Sequence, residues 1–426
     1  MTTSTPELPV EGGTLPIGGG PNAMMKGALD FLRRRWLLVL VTLIAALFPI
    51  IDGDQTQQTV IVGAGVFVLM ALGLNIVVGY AGLLDLGYVA FFAIGAYSYA
   101  IANFGNIFVQ NGHLGYVQPP NITPANATPI HLAVWPMLLG GLLIAAVFGV
   151  LLGAPTLRLR GDYLAIVTLG FGEIVPLIFL NDAPLGGAFG YTGLDLPSSI
   201  GPIEFTYLSQ VPFYYFILAL IIIAILVVLS LRNSRFGRAW IAIREDETAA
   251  AANGVNLVRT KLLAFGMGAA LGGVAGVFYA SHLTAVDNTQ FAFIISVTVL
   301  VMVVLGGMGS IPGVILGALV VYFVDFYLLT SLNNFVHGLS VVNAPGAPLA
   351  FLSGFDFNSI KDGLFGLVLI LMMILRPEGF IPETRRRREL HTKTAEPAVA
   401  TVEAFAAGSL DAPPGIEGND PKGSLE

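Results

Sequence analysis

Ten stretches of this chain are apolar enough to sit in a lipid bilayer, and no soluble fold accommodates so many of them. A helix needs about 20 apolar residues to cross a hydrocarbon core roughly 30 Å thick. The candidates are Trp36 to Ile51, Thr59 to Gly79, Leu83 to Phe104, His131 to Gly153 and Tyr163 to Leu180. The series continues with Val211 to Leu231, Leu262 to His282, Phe291 to Leu305, Ile311 to Leu329 and the short Leu364 to Leu375. Only 11% of the residues are charged, against about 25% in soluble domains. The expected fold class is therefore an all-α integral membrane protein with about ten transmembrane helices.

Charge gives an independent check on that number. Cytoplasmic loops collect Lys and Arg. With Arg33, Arg34 and Arg35 inside and the spans alternating, only Lys361 of the 20 basic residues falls outside. The predicted outer loops carry Asp52, Asp54, Asp182, Asp195, Glu204 and Asp287 instead. Both termini are expected in the cytoplasm. Residues 1–30 read as a disordered cytoplasmic arm, polar and without the apolar core of a cleaved signal peptide. Residues 31–380 read as the transmembrane domain, with a cytoplasmic loop at 232–261. Residues 389–426 read as a disordered cytoplasmic tail, rich in Pro, Gly and acids. The stretch 105–129 is an expected outer loop with sequons at Asn121 and Asn126.

Several chemistries have no basis in this sequence. There is no cysteine, so disulfides and thiol catalysis are out. No Gly-x-x-x-x-Gly-Lys-Ser/Thr phosphate loop and no HExxH motif occurs, so no catalytic residue, metal ligand or cofactor is assigned. A net charge of -7 gives no reason to expect nucleic acid. If ATP drives this protein, other subunits must hydrolyse it.

Small residues recur every fourth position at Gly268, Gly272, Gly276 and Ala280, and again at Gly309, Gly313 and Gly317. Such ladders let helices approach closely, either as fixed packing or as faces that slide. Gly and Pro interrupt the spans at 79–82, 170–172 and 306–312, either as hairpin turns or as breaks that expose backbone to a substrate. Among the intramembrane acids, Asp85 and Asp162 sit near inner ends, within reach of water. Glu173 is the most central, a candidate cavity group or an interhelical hydrogen-bonding carboxyl. Nothing in the sequence assigns Asp325 a motif or a role.

The loop 232–261 holds good helix formers from Trp240 to Asn253, with Gly254 placed as a C-terminal stop. It presents Trp240 and Ile243 beside Arg244, Glu245, Asp246 and Glu247. A short helix of this composition suits docking in a cleft of a soluble partner, or is a solvated linker.

Four ordered segments resemble one family. They are "GLNIVVGYAGLLDLGYVAFFAIGAY" (73–97), "LRLRGDYLAIVTLGFGEI" (157–174), "SRFGRAWIAIREDETAAAANGV" (234–255) and "VLGGMGSIPGVILGA" (304–318). Together they look like LivM-type permeases of branched-chain amino acid ABC transporters, over roughly residues 69–320. The resemblance implies a bacterial, multi-pass permease of the cell inner membrane. It also implies a second, related permease, two ATP-binding cassette subunits and an extracytoplasmic substrate-binding protein. Ala249, Ala250 and Gly254 match the Ala-Ala and Gly positions of the importer EAA loop, while its Glu stands one place early as Glu247. Leucine, isoleucine and valine are the implied substrates. A zwitterion needs polar partners at both charged ends, and Asn75, Tyr88, Thr168 and Glu173 form the expected polar lining. Two readings from other classes remain: an ion-coupled secondary transporter, with Glu173 or Asp85 as the coupling carboxylate, and a passive channel, for which the sequence offers no ring-forming filter motif.

Overall fold

The computed structural model describes residues 54–103, 107–110, 113–116, 128–129, 131–156, 162–182, 185–199, 204–206 and 209–328, with isolated positions beyond. Two compact units divide the chain at residue 58, and the second, Thr59–Glu426, carries all that follows. The expected spans at 36–51 and 364–375, both terminal arms and the two sequons fall largely or wholly outside the described residues.

Helix α1 (Gln55–Leu74) continues into a π-helical turn at Asn75–Tyr80. After an irregular stretch come α2 (Val89–Asn103), α3 (Val134–Thr156) and α4 (Asp162–Asn181). Helix α5 (Val211–Asn233) leads to two short helices, α6 (Arg235–Glu245) and α7 (Glu247–Ala252). Then follow α8 (Leu257–Leu283), α9 (Phe293–Gly306) and α10 (Ile311–Tyr322), the last ending in a π-helical segment, Phe323–Leu328, that buries Asp325. Among the described residues six helices are long and apolar enough to cross a membrane.

Helix α8 is the hub, packed chiefly on α3 and α2. Its small residues make this possible on two faces. A Cβ at Gly276 would stand 2.1 Å from the Phe92 carbonyl oxygen, and one at Gly273 would stand 2.5 Å from that of Gly141. Backbones this close admit no side chain larger than hydrogen. The same device joins α9 to α10, where a Cβ at Gly317 would meet the Met302 carbonyl oxygen at 2.3 Å. Gly309, expected on that ladder, instead occupies the α9–α10 turn with φ +88°.

Three expectations need correction. The span expected at Leu83 to Phe104 begins only at Val89, because Gly82 adopts φ +69° and the chain leaves the helix there. The stretch 105–129, expected as an outer loop, is not all loop: it contains strands β1 (Ile107–Gln110), β2 (His113–Tyr116) and β3 (Thr128–Pro129), in the antiparallel order β2-β1-β3. The helix expected at Trp240 to Asn253 is two helices, broken at Asp246, whose φ of -157° is extended. At the other end of the bundle, β4 (Tyr191–Thr192) pairs with β5 (Ala285–Val286). There Asn103 clamps Asp195, accepting from its backbone N–H at 2.8 Å and donating to its carboxylate at 3.2 Å.

Candidate functional site: a broken helix beside a short helix pair

Fifteen residues of α2 span only about 22 Å, short of a bilayer core. To complete a span the irregular stretch 81–88 must make up the difference, which would place backbone outside a helical ladder at membrane depth. That is tolerated only where protein encloses it or a cavity opens on it. Here it is held from several sides. The Thr168 hydroxyl of α4 accepts from Leu86 N–H at 3.0 Å. The Ser296 hydroxyl of α9 accepts from Val89 N–H at 2.9 Å. Tyr88 donates its hydroxyl to the Gly268 carbonyl of α8 at 2.9 Å. Asn75 Oδ1 accepts from Gly309 N–H at 2.8 Å, tying the π turn to the α9–α10 turn. Asp85 is 1% exposed, so it does not reach water as expected; its Oδ1 accepts from Gly87 N–H at 2.9 Å. Only Gly82 and Leu84 of this stretch are exposed.

The short helix pair α6–α7 is built from caps. Ser234 accepts from the N–H groups of Phe236 and Gly237 to start α6. Asp246 Oδ1 accepts from Thr248 and Ala249 N–H at 2.7 and 3.0 Å to start α7. Gly254, at φ +83°, stops α7: its N–H bonds the Ala251 carbonyl and that of Val255 the Ala250 carbonyl, the Schellman arrangement. Asn256 caps α8 through Arg259 N–H at 3.0 Å. Four caps, each worth about 1 kcal/mol, make this loop a defined object.

Side chains of the pair divide into two sets. Trp240 is 0% exposed and donates its indole N–H to the Thr260 carbonyl at 2.8 Å. Ile243 and Ala250 are buried as well. Glu247 pairs with Lys261, itself 6% exposed, at 2.6 Å. Arg244 donates to the Gly79 carbonyl. These groups anchor the pair to the bundle. Glu245, Asp246, Ala249 and Gly254 face outward, together with Thr248 and Asn253. The sequence assigned the whole set to a partner; the fold turns Trp240, Arg244, Glu247 and Ala250 towards its own bundle.

Helix α4, like α3 and α5, leaves most of its apolar surface uncovered by the chain. Tyr163 is 70% and Ile166 65% exposed, and Glu173, Ile174 and Leu177 follow on the exposed side. A Cβ at Gly170 would meet nothing within 4 Å. Thus the four expected lining residues do not converge in this chain alone: Asn75, Tyr88 and Thr168 are buried around the broken stretch, and Glu173 looks outward.

Residues 58–373 match the family model described as branched-chain amino acid transport system / permease component. The chain belongs to this family. The permease is 34% identical over 386 residues to the high-affinity branched-chain amino acid transport system permease protein LivM of Escherichia coli K12, covering 85% of this chain and 79% of that one. It is 28% identical over 340 residues to the probable LivM of Methanocaldococcus jannaschii, covering 75% and 91%. The corresponding permease protein LivH of Escherichia coli K12 is 30% identical over 158 residues, 37% of this chain and 43% of its own length. No solved structure matches the permease.

Sequence reasoning missed Ser296, Gly309 and Lys261 as parts of this site. Ser296 and Gly309 act through one hydrogen bond each to residues more than two hundred positions away. Nothing local marks such a contact. Lys261 carried a signal, a cation beside Arg259 at the mouth of an apolar helix, since a buried ammonium requires a partner.

Proposed function

We propose that this permease is the membrane-spanning subunit of an ATP-driven importer of branched-chain amino acids in the inner membrane of a bacterial cell. Its partners are a second permease, two ATP-binding cassette subunits that supply hydrolysis, and an extracytoplasmic substrate-binding protein. Ten spans with both termini in the cytoplasm complete the reading, in keeping with the charge distribution.

The observation that carries it is the capped helix pair α6–α7. It is fixed to the bundle by Trp240, Arg244 and Lys261 and leaves Glu245, Asp246, Thr248 and Ala249 outward. A rigid protrusion with an exposed polar face is what a soluble motor subunit needs in order to push on a membrane domain. The substrate route runs along the exposed face of α4, closed on its other side by the second permease. Glu173 there meets the ammonium group, and Ile166, Ile174 and Leu177 offer an apolar slot. Asn75, Tyr88 and Thr168 hold the wall behind it.

Purification of the permease in mild detergent from its native membrane tests the reading. Two ATP-binding cassette subunits and a second permease are expected to accompany it. Exchanging the outward Thr248 and Ala249 for Lys, which leaves the Asp246 cap in place, is expected to release the cassette subunits. Recovery of the chain alone, active in uptake under an ion gradient, would establish the ion-coupled reading instead.

A further inference from the structure

Three separate elements meet at one glycine. The π turn of α1 closes with Ala81 N–H on the Ile76 carbonyl at 3.2 Å, and the chain then turns off at Gly82. Arg244 of α6 reaches this turn and donates from Nη1 to the Gly79 carbonyl. Its stem fills the space over the neighbouring glycine, where a Cβ on Gly82 would stand 2.8 Å from Arg244 Cγ. The other side of Gly79 is equally close. A Cβ there would stand 2.0 Å from Asn75 Oδ1 and 2.7 Å from Gly309 N, the two atoms that hydrogen-bond each other at 2.8 Å. Cytoplasmic helix, broken α1 and the α9–α10 turn therefore share one junction with no slack.

The geometry points to Arg244 as a positioning residue that carries movement of α6 into the membrane, through the Gly79 carbonyl to Asn75 and on to the Gly309 turn. The assignment rests on the reading of the chain as an ATP-driven permease. Arg suits the task chemically. Its hydrogen bond to the carbonyl is charge-assisted, about twice as strong as a neutral one. Its cation also sits at the C-terminal end of a helix, where the helix dipole favours it. Contacts this tight move as a unit instead of sliding, because packed interiors deform little. The π turn supplies the compliant element: its extra residue per turn is a local irregularity of the kind that concentrates at functional sites. Asn75 then serves as the link between break and turn, and the closure of cassette subunits on α7 reaches α10 without crossing the substrate route.

The complete complex in proteoliposomes tests this, with leucine-loaded binding protein outside, ATP inside, and uptake and hydrolysis measured together. The readout is ATP hydrolysed per leucine imported, which simple loss of folded protein does not move. Arg244→Ala is expected to raise that ratio about tenfold, and Arg244→Lys, which keeps one charged donor, to restore most of it. An unchanged ratio in Arg244→Ala, at whatever absolute rates, overturns the assignment. Should Arg244→Ala prevent assembly, Gly82→Ala displaces the same side chain from within the membrane body and is expected to raise the ratio likewise; an unchanged ratio there overturns it equally. Wild-type uptake that continues without ATP overturns the permease reading together with the relay, whereas ATP-driven uptake with an unchanged ratio overturns the relay alone.

Discussion

Helices α8 and α4 are both apolar enough to cross a membrane, yet the fold uses them in opposite ways. In α8, 78% of the most apolar stretch is buried within the chain; in α4 the share is 33%. The difference follows from side-chain size. Helix α8 carries Gly266, Gly268, Gly272, Gly273 and Gly276, so α2 and α3 approach until backbones touch. Helix α4 carries Tyr163, Ile166, Ile174, Leu177 and Ile178 on its outer side, where no other part of the chain covers them closely. Without water to drive helices together, close packing of small residues is what selects the hub. A carboxylate on the opposite kind of helix then acquires meaning: Glu173 on an exposed face does not suit lipid.

The comparison breaks most severely if α8 tolerates bulk. Gly276→Val places a branched side chain where even Cβ would stand 2.1 Å from a backbone oxygen and 2.7 Å from Ala96 N. Flexible side chains are not available to move aside. The expected cost exceeds about 3 kcal/mol, enough that no monodisperse protein is recovered on size-exclusion chromatography in detergent. Next in size is the reverse experiment on α4. Glu173→Gln is expected to lower leucine uptake about tenfold in the reconstituted complex, through loss of the ammonium partner. Thermal melting of the isolated permease should stay within about 0.5 kcal/mol of wild type, since the side chain is exposed. A large loss of stability with normal uptake would place α4 among the packed helices.

Much of this contrast was legible beforehand. The Gly268–Gly272–Gly276 ladder announced a packed face, and Glu173 stood out by being charged amid apolar residues. The cap at Gly254 followed from helix chemistry alone. What was hidden is of another kind. Asn75, Tyr88 and Thr168 are polar residues in apolar spans, and polarity alone reads equally as substrate lining or as interhelical bonding. Their partners, Gly309 N–H, the Gly268 carbonyl and Leu86 N–H, are backbone groups, which every residue has. The break at 81–88 was marked by glycines, but a short apolar helix and a broken one share the same hydropathy. Trp240 was read as a docking group because aromatics favour interfaces; the partner it found is the Thr260 carbonyl.

Tyr88→Phe sharpens the packed side of the comparison with a smaller effect. The ring keeps its edge-on contact with Phe91, at 6.1 Å between centroids. The hydroxyl bond to the Gly268 carbonyl is lost, and that carbonyl lies inside α8, away from solvent. A loss of about 0.5–1.5 kcal/mol is expected on thermal melting, with ATP consumed per leucine unchanged. A tenfold fall in uptake at unaltered stability would instead make Tyr88 a residue that touches substrate.

The smallest effect is the most discriminating for α4. Glycine inside a helix costs roughly 0.5–1 kcal/mol relative to alanine, and at Gly170 nothing stands within 4 Å of a Cβ. Gly170→Ala is therefore expected to stabilise the isolated permease by up to that amount, where the same change at Gly276 destabilises it. Gly170 lies one turn from Glu173 on the same helix, so the proposed route passes both. If that route is open space bounded by the second permease, the stabilisation should survive in the assembled complex, read by melting with all subunits present. If the second permease instead packs directly on α4 at this level, the added methyl costs stability in the complex while still stabilising the chain alone. The sign of that one difference reports whether the exposed face of α4 is a passage or a seam.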